Sequence, residues 1–241
     1  MFKTIKLTTL VYVLAAVVLV GALVPAFILA GRKKPGAEVF SQKERTVVVL
    51  DAGHGGDDPG VTGIRTGVKE SDLNLKTALV LGDILSAAGY KAVQTRLTEG
   101  STAEGAFDKD ADMQARKATI ERAKPAAVIS LHLNKYEDAS RRGVQVFYST
   151  DASEMLAEKM QKHLNDTMNV PTLGRGFVAI RGDFYIAQCT DAPSIIIECG
   201  FLSNPIDESL VSDASYRLRL ASEIETALTS YMTSRENLSE E

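Results

Sequence analysis

Val47-Val48-Val49-Leu50-Asp51-Ala52-Gly53-His54 sets the pattern of this 241-residue chain: a short β-branched run that stops at a residue able to bind a metal or move a proton. Two further runs repeat it. Ala126-Ala127-Val128-Ile129-Ser130-Leu131 ends in His132, and Ile195-Ile196-Ile197 ends in Glu198. Runs of this kind read as buried strands, and in open α/β sheets ligands bind beyond the carboxyl ends of the strands. Two of the chain's three histidines and one glutamate therefore stand where an active site is built.

Working outward, helical and strand patterns alternate. Leu73, Leu75, Ala78, Leu79, Leu81, Leu85 and Ala88 fall near helical spacing, and Gly89 stops them. Tyr90–Thr95 and Gly143–Ser149 read as strands, and Phe184–Ala187 as a short one. Met113–Ala123, Asp151–Met168 (capped by Asp151 or Ser153) and Tyr216–Met232 read as helices. Gly53–Gly67, with six glycines and Pro59, must be loop, and Glu99–Asp112 reads as an exposed acidic loop. The alternation predicts one α/β domain over 45–232, with a mostly parallel mixed sheet and helices on both faces, then a polar tail over 233–241.

The composition, 45% hydrophobic and 24% charged, is that of a globular protein. The N-terminus differs. After a short flank over 1–6, residues 7–30 carry no charge and are long enough to cross a bilayer as a helix. A cleaved signal has a shorter apolar core ending in small residues, whereas here Phe27-Ile28-Leu29 occupies that place. The expectation is an uncleaved membrane anchor, joined by a polar linker over 31–44. Counting Lys and Arg alone would put the Arg32 side in the cytoplasm. From residue 45 onward, 21 basic residues face 29 acidic ones. Nucleic acid is excluded as a partner, since its affinity comes mostly from cationic neutralisation of phosphate. Cys189 and Cys199 are too few for a disulfide framework and read as small buried side chains.

A catalytic zinc usually has three protein ligands and a fourth position left for water, whose pKa it lowers to about 7. His54 and His132 supply two nitrogens. Glu70, after the glycine loop that begins at His54, is the best third ligand, with Asp57 and Asp58 as competitors. Glu198 then acts as general base, because an ionisable residue closing an Ile-Ile-Ile strand is costly without a role or a partner. Asp51–Gly60 lacks the Gly-Lys-Ser/Thr ending of a phosphate loop. Arg141-Arg142 reads as a solvated loop pair, and His163 as a surface residue.

Four ordered stretches carry a resemblance: Val49–Gly56, Lys69–Leu75, Ser130–Asn134 and Ile197–Asn204. Together they resemble the zinc-dependent N-acetylmuramoyl-L-alanine amidases (amidase type 3), bacterial cell-wall hydrolases, over about 45–232. Thr95-Arg96 and Gly143–Ser149 also fit that pattern. The resemblance implies Zn²⁺ held by His54, Glu70 and His132, with Glu198 as catalytic acid/base. It implies hydrolysis of the amide between N-acetylmuramic acid and L-alanine, so the partner is a peptidoglycan glycan strand with its stem peptide. An anchor joined directly to the catalytic domain resembles the germination-specific spore-cortex branch, in which stripping the peptide precedes muramic δ-lactam formation. Such an enzyme would be membrane-anchored and extracytoplasmic, since its substrate is outside. The rival readings are a peptidoglycan-binding or regulatory module without activity, and a zinc peptidase cutting within the stem peptide. One departure stands out. The family carries a Leu-Arg pair where this chain has Ala187-Gln188, which makes Arg181 a candidate substitute for holding substrate.

Overall fold

Six strands form one sheet in the order β2-β1-β3-β6-β4-β5. They are β1 (Val47–Ala52), β2 (Lys91–Gln94), β3 (Ala127–Asn134), β4 (Gln145–Tyr148), β5 (Ile180–Arg181) and β6 (Ser194–Phe201). The structure, a computed structural model, describes residues 45–103 and 107–239. The apolar 7–30 segment and the 31–44 linker lie outside them. Among the described residues no helix is long and apolar enough to cross a membrane.

β1 pairs in parallel with β2 and β3, β3 pairs in parallel with β6, and β4 runs antiparallel to β6. The expected single domain with a mostly parallel mixed sheet is therefore present. Strand alternation sorts the side chains. Val48, Leu50, Ile129, Leu131, Ile195 and Ile197 join the larger core, with α1 (Glu70–Ala87), α3 (Asp151–Leu164) and α6 (Ala214–Ser239). Val49, Val128 and Ile196 face a smaller cluster with Ile120 of α2 (Lys109–Ala123) and Ile186 of a 3₁₀ turn, Tyr185–Ala187. The same alternation puts Asp51, Ser130, His132 and Glu198 on the thinly covered face. A cleft can open there without breaching the main core.

Several local expectations are corrected. Asp108, not a residue near Met113, begins α2; its carboxylate accepts the Ala111 amide at 2.9 Å, a side-chain N-cap. The acidic loop is thus shorter than it looked, and Asp112 is buried. The third helix starts after Thr150, whose hydroxyl meets that of Ser153 at 2.8 Å, and it passes through a π turn over Asn165–Asn169 into the short α4 (Val170–Leu173). Phe184–Ala187 is not a strand. Ala187 N–H bonds to Phe184 C=O at 3.0 Å and Gln188 N–H to Tyr185 C=O at 3.1 Å, closing the 3₁₀ turn. Short apolar runs do not declare their period. A helix α5 (Pro205–Ser212) follows β6, capped by Asn204 and opened by Pro205. The last helix begins at Ala214 and continues through the expected tail to Ser239.

Arg142 is not a solvated residue: its side chain is half-buried and its Nε lies 3.3 Å from Asp207 Oδ1. His163 is likewise half-buried, joining α3 to α6 through Glu223 at 2.8 Å. Cys189 and Cys199 are free thiols; Cys199 is buried in the core, as expected, whereas Cys189 is only partly buried.

Candidate active site

His54 stands two residues past the end of β1, with φ +61°, the left-handed region that non-glycine residues adopt at a cost of order 1–3 kcal/mol. This bend turns its ring toward β3. The glycine loop then returns to the sheet. The Glu70 amide donates to Val61 C=O at 2.9 Å, and the Val61 amide donates to Glu70 Oε2 at 2.8 Å. Glu70 opens α1, where the positive end of the helix favours a carboxylate.

Glu70 Oε1 lies 3.2 Å from His54 Nε2 and 3.0 Å from His132 Nδ1. The two rings stand edge to face with centroids 5.0 Å apart. Glu70 also accepts from the Leu133 amide at 3.0 Å and from Asn74 Nδ2 at 3.2 Å. Its side chain is 2% exposed, against 26% and 22% for the two histidines. The carboxylate therefore sits at the back of the site and the imidazoles at its mouth. Burial alone would raise the Glu70 pKa, but the hydrogen bonds and charges of His132 and His54 hold it well below the usual carboxylate range.

One donor atom from each of His54, Glu70 and His132 lies within 4.8 Å of the others. Two imidazole nitrogens and a carboxylate oxygen suit zinc, so the residues present fit that ion. Asp58, considered above as a rival ligand, takes another place: its Oδ2 meets His54 Nδ1 at 2.8 Å, on the far side of the ring. A carboxylate there fixes the tautomer and orientation of a ligating histidine. Asp57 is exposed.

Glu198 stands opposite His132 in the β3–β6 pair. The residue is partly exposed, yet its Oε2 is sealed from solvent and has no hydrogen-bond partner among the described residues. Burial pushes its pKa up to about 7, with the positive influence of His132 and His54 and the negative one of Glu70 acting on it as well. All four expected residues are brought together.

Two glycines make room. A Cβ on Gly53 would fall 2.2 Å from His132 Cε1, and one on Gly60, at φ +64°, would fall 2.5 Å from Glu70 Oε2. Gly53→Ala is therefore expected to displace the His132 ring and abolish zinc uptake at micromolar metal while the chain still folds. Metal analysis and circular dichroism on one sample check this.

A cleft of about 280 Å³ opens beside these groups, lined by His54, Asp58, His132, Lys109, Met113 and the 183–186 segment. A larger hollow of about 750 Å³, near Lys124, Pro125 and Pro193 at the other ends of the strands, holds none of the site groups.

Residues 48–230 match the N-acetylmuramoyl-L-alanine amidase family. The chain belongs to that family. It is a peptidoglycan amidase. It is 31% identical over 196 residues to the germination-specific N-acetylmuramoyl-L-alanine amidase of Bacillus subtilis (strain 168), covering 78% of this chain and 81% of that one. Its fold matches the CwlD amidase of Clostridioides difficile, solved in complex with the GerS lipoprotein, with TM-score 0.73 and 30% identity over 78% of this chain and 99% of that one. It also matches the catalytic domain of CwlV from Bacillus (Paenibacillus) polymyxa var. colistinus, with TM-score 0.67 and 29% identity over 78% and 98%.

In this amidase Ala187 is buried, and Gln188 is exposed and donates to Asp183 Oδ1 at 2.5 Å at the cleft rim. Arg181 is paired with Asp151 at 2.7 Å and does not line the cleft. Sequence reasoning gave no supporting role to Asp58, which it weighed as a ligand, or to Asn74, Arg96 and Arg116. The visible signal for the last was the Asp112/Arg116 pair at helical i,i+4 spacing.

Proposed function

We propose that this amidase is zinc-dependent, with His54, Glu70 and His132 as ligands and Glu198 as acid and base. The observation that carries this reading is Glu70 Oε1 lying 3.2 and 3.0 Å from the two imidazoles, with Glu198 across from His132. Zinc bound there would supply Lewis-acid chemistry, polarising a carbonyl and acidifying water. Glu198 takes a proton from the attacking water and returns it to the leaving L-alanine amine. In the metal-free protein burial pushes the Glu198 pKa up to about 7, in the range a group that both takes and returns a proton at neutral pH needs. Asp58 holds the His54 ring in register throughout.

The biological setting we propose is the spore cortex, where loss of the stem peptide precedes muramic δ-lactam formation. The likeness to the germination-specific enzyme of Bacillus subtilis supports it. The uncharged 7–30 segment serves as the membrane anchor, with the catalytic domain outside the cytoplasm, where the substrate lies. The Clostridioides difficile relative was solved in complex with a lipoprotein, which makes a lipoprotein the accessory partner to expect.

Digestion of cortex peptidoglycan, read by mass spectrometry, tests the reaction. The expected products are free stem peptides that begin with L-Ala. Cuts within the peptide would identify a peptidase instead, and binding without release a module that lacks activity. Spores of a strain without this gene are expected to lack muramic δ-lactam; unchanged δ-lactam would remove the cortex assignment.

A further inference from the structure

Arg116 is the largest of the fully buried side chains and lies in the middle of α2. Its donors leave in three directions. Nε reaches Asp112 Oδ2 at 2.8 Å, Nη1 reaches Asp51 Oδ1 and Ala52 C=O at 2.7 Å each, and Nη2 reaches His54 C=O at 2.6 Å. Arg96 grips the same strand end from another side, donating to Ala52 C=O at 2.9 Å and Gly53 C=O at 3.1 Å. Three successive carbonyls, those of residues 52, 53 and 54, are thus held by two guanidinium groups, at the point where the chain enters its left-handed bend.

The network extends both ways. Asp51 Oδ2 accepts from Ser130 Oγ at 2.6 Å, two residues before His132 on the same face of β3. Asp112 Oδ1 accepts from the Thr102 amide at 2.6 Å and from its hydroxyl at 2.5 Å. The Gly56 amide donates to Glu99 C=O at 2.7 Å. The 99–102 segment, whose acidic neighbourhood suggested only a solvent-exposed loop, is therefore tied to both the arginine and the turn after His54.

Buried ion pairs are weak sources of net stability, because desolvation offsets much of their attraction. An apolar side chain of similar volume would fill this space. What it could not supply is a rigid set of donors aimed at particular carbonyls. We propose that Arg116 is a positioning residue for the metal centre: it fixes the backbone of His54, and Asp112 and Thr102 in turn fix Arg116. This rests on the zinc reading given above.

The test compares zinc affinity, by competition with a chromogenic chelator at fixed pH, for the full chain and three variants. Circular dichroism and thermal melts of the metal-free proteins run alongside. Arg116→Met keeps bulk and removes the donors. Thr102→Val removes the hydroxyl that braces Asp112 without touching Arg116. Leu228→Ala, in the core on the opposite face, is a control for simple loss of stability. Arg116→Met is expected to weaken zinc binding about tenfold or more, as loss of outer groups around a metal site typically does. Thr102→Val should weaken it less, and Leu228→Ala should lower the melting temperature with zinc affinity unchanged. Folded Arg116→Met with wild-type affinity would overturn the proposal. If that variant fails to fold, unchanged affinity in Thr102→Val does the same. A wild-type chain that takes up no zinc would overturn the metal reading itself, whatever the variants do.

Discussion

Glu198→Gln is expected to keep zinc and lose amide hydrolysis by about 10²–10⁴-fold, the usual worth of a positioned acid–base group. Gln keeps the shape of the side chain on β6 and its place opposite His132. It cannot accept the proton that the attacking water must give up. Glu198 Oε2 has no partner among the described residues, so no donor elsewhere loses its acceptor in the exchange. A second signature follows from the pKa. An unfolded Glu titrates near 4.5, and burial, with Glu70 adding to it against the two imidazoles, raises the folded value to about 7. Between those values the folded state binds the extra proton, so this group's contribution to stability is lost as pH rises from about 4.5 to 7. The Gln variant never carries that charge. At pH 8 the metal-free Glu198→Gln protein should melt higher than the metal-free wild type, and at pH 4 the two should converge. Gained stability with lost activity is the mark of a group kept for chemistry. Normal turnover by Glu198→Gln would remove Glu198 from the mechanism.

Three of the candidate site residues are legible because they end strands. A buried strand has a strong apolar pattern, and His54, His132 and Glu198 are where three such patterns stop. Glu70 was harder. Its place after the glycine loop favours it over Asp57 and Asp58 without deciding between them, since the choice depends on how the 55–69 loop folds back. The paired bonds between Val61 and Glu70 make that fold and put the carboxylate at the start of α1. The resemblance to a family, rather than the spacing, decided for Glu70.

What could not be read lies mainly in long-range polar contacts. Arg116 is 62 residues from the His54 carbonyl it holds, and an arginine at helical spacing from an aspartate reads as an exposed pair. Fully buried, it closes the floor of the cleft instead. Phe184–Ala187 was read as strand because four residues cannot distinguish a period of two from one of three. Arg142 looked solvated because its partner, Asp207, belongs to a helix signalled only by Asn204-Pro205.

Removing the metal is expected to abolish hydrolysis and lower the melting temperature together. A ligand at about 1,000 times its dissociation constant stabilises the folded state by about 4 kcal/mol. For a domain of this size that is about 8–16 °C. The pH dependence tests the ligand set. Burial lowers the His54 pKa, but hydrogen bonding and charge from Glu70, then from Asp58, outweigh it and raise the folded value from 6.5 to about 9 in the metal-free protein. In that state the proton's contribution to stability is fully present below 6.5 and is lost as pH rises through about 9. Zinc requires the neutral imidazole and must displace that proton. Metal affinity should therefore climb with pH, by up to about tenfold per unit below 9, while the metal-free protein grows less stable over the same range. The melting-temperature gain on adding zinc should be larger at pH 8.5 than at pH 6.5. Competition titrations with a chelator calibrated at each pH provide the measurement. A zinc affinity that stays flat across this range would mean that the proton shared by His54 and Glu70 does not occupy the metal's place.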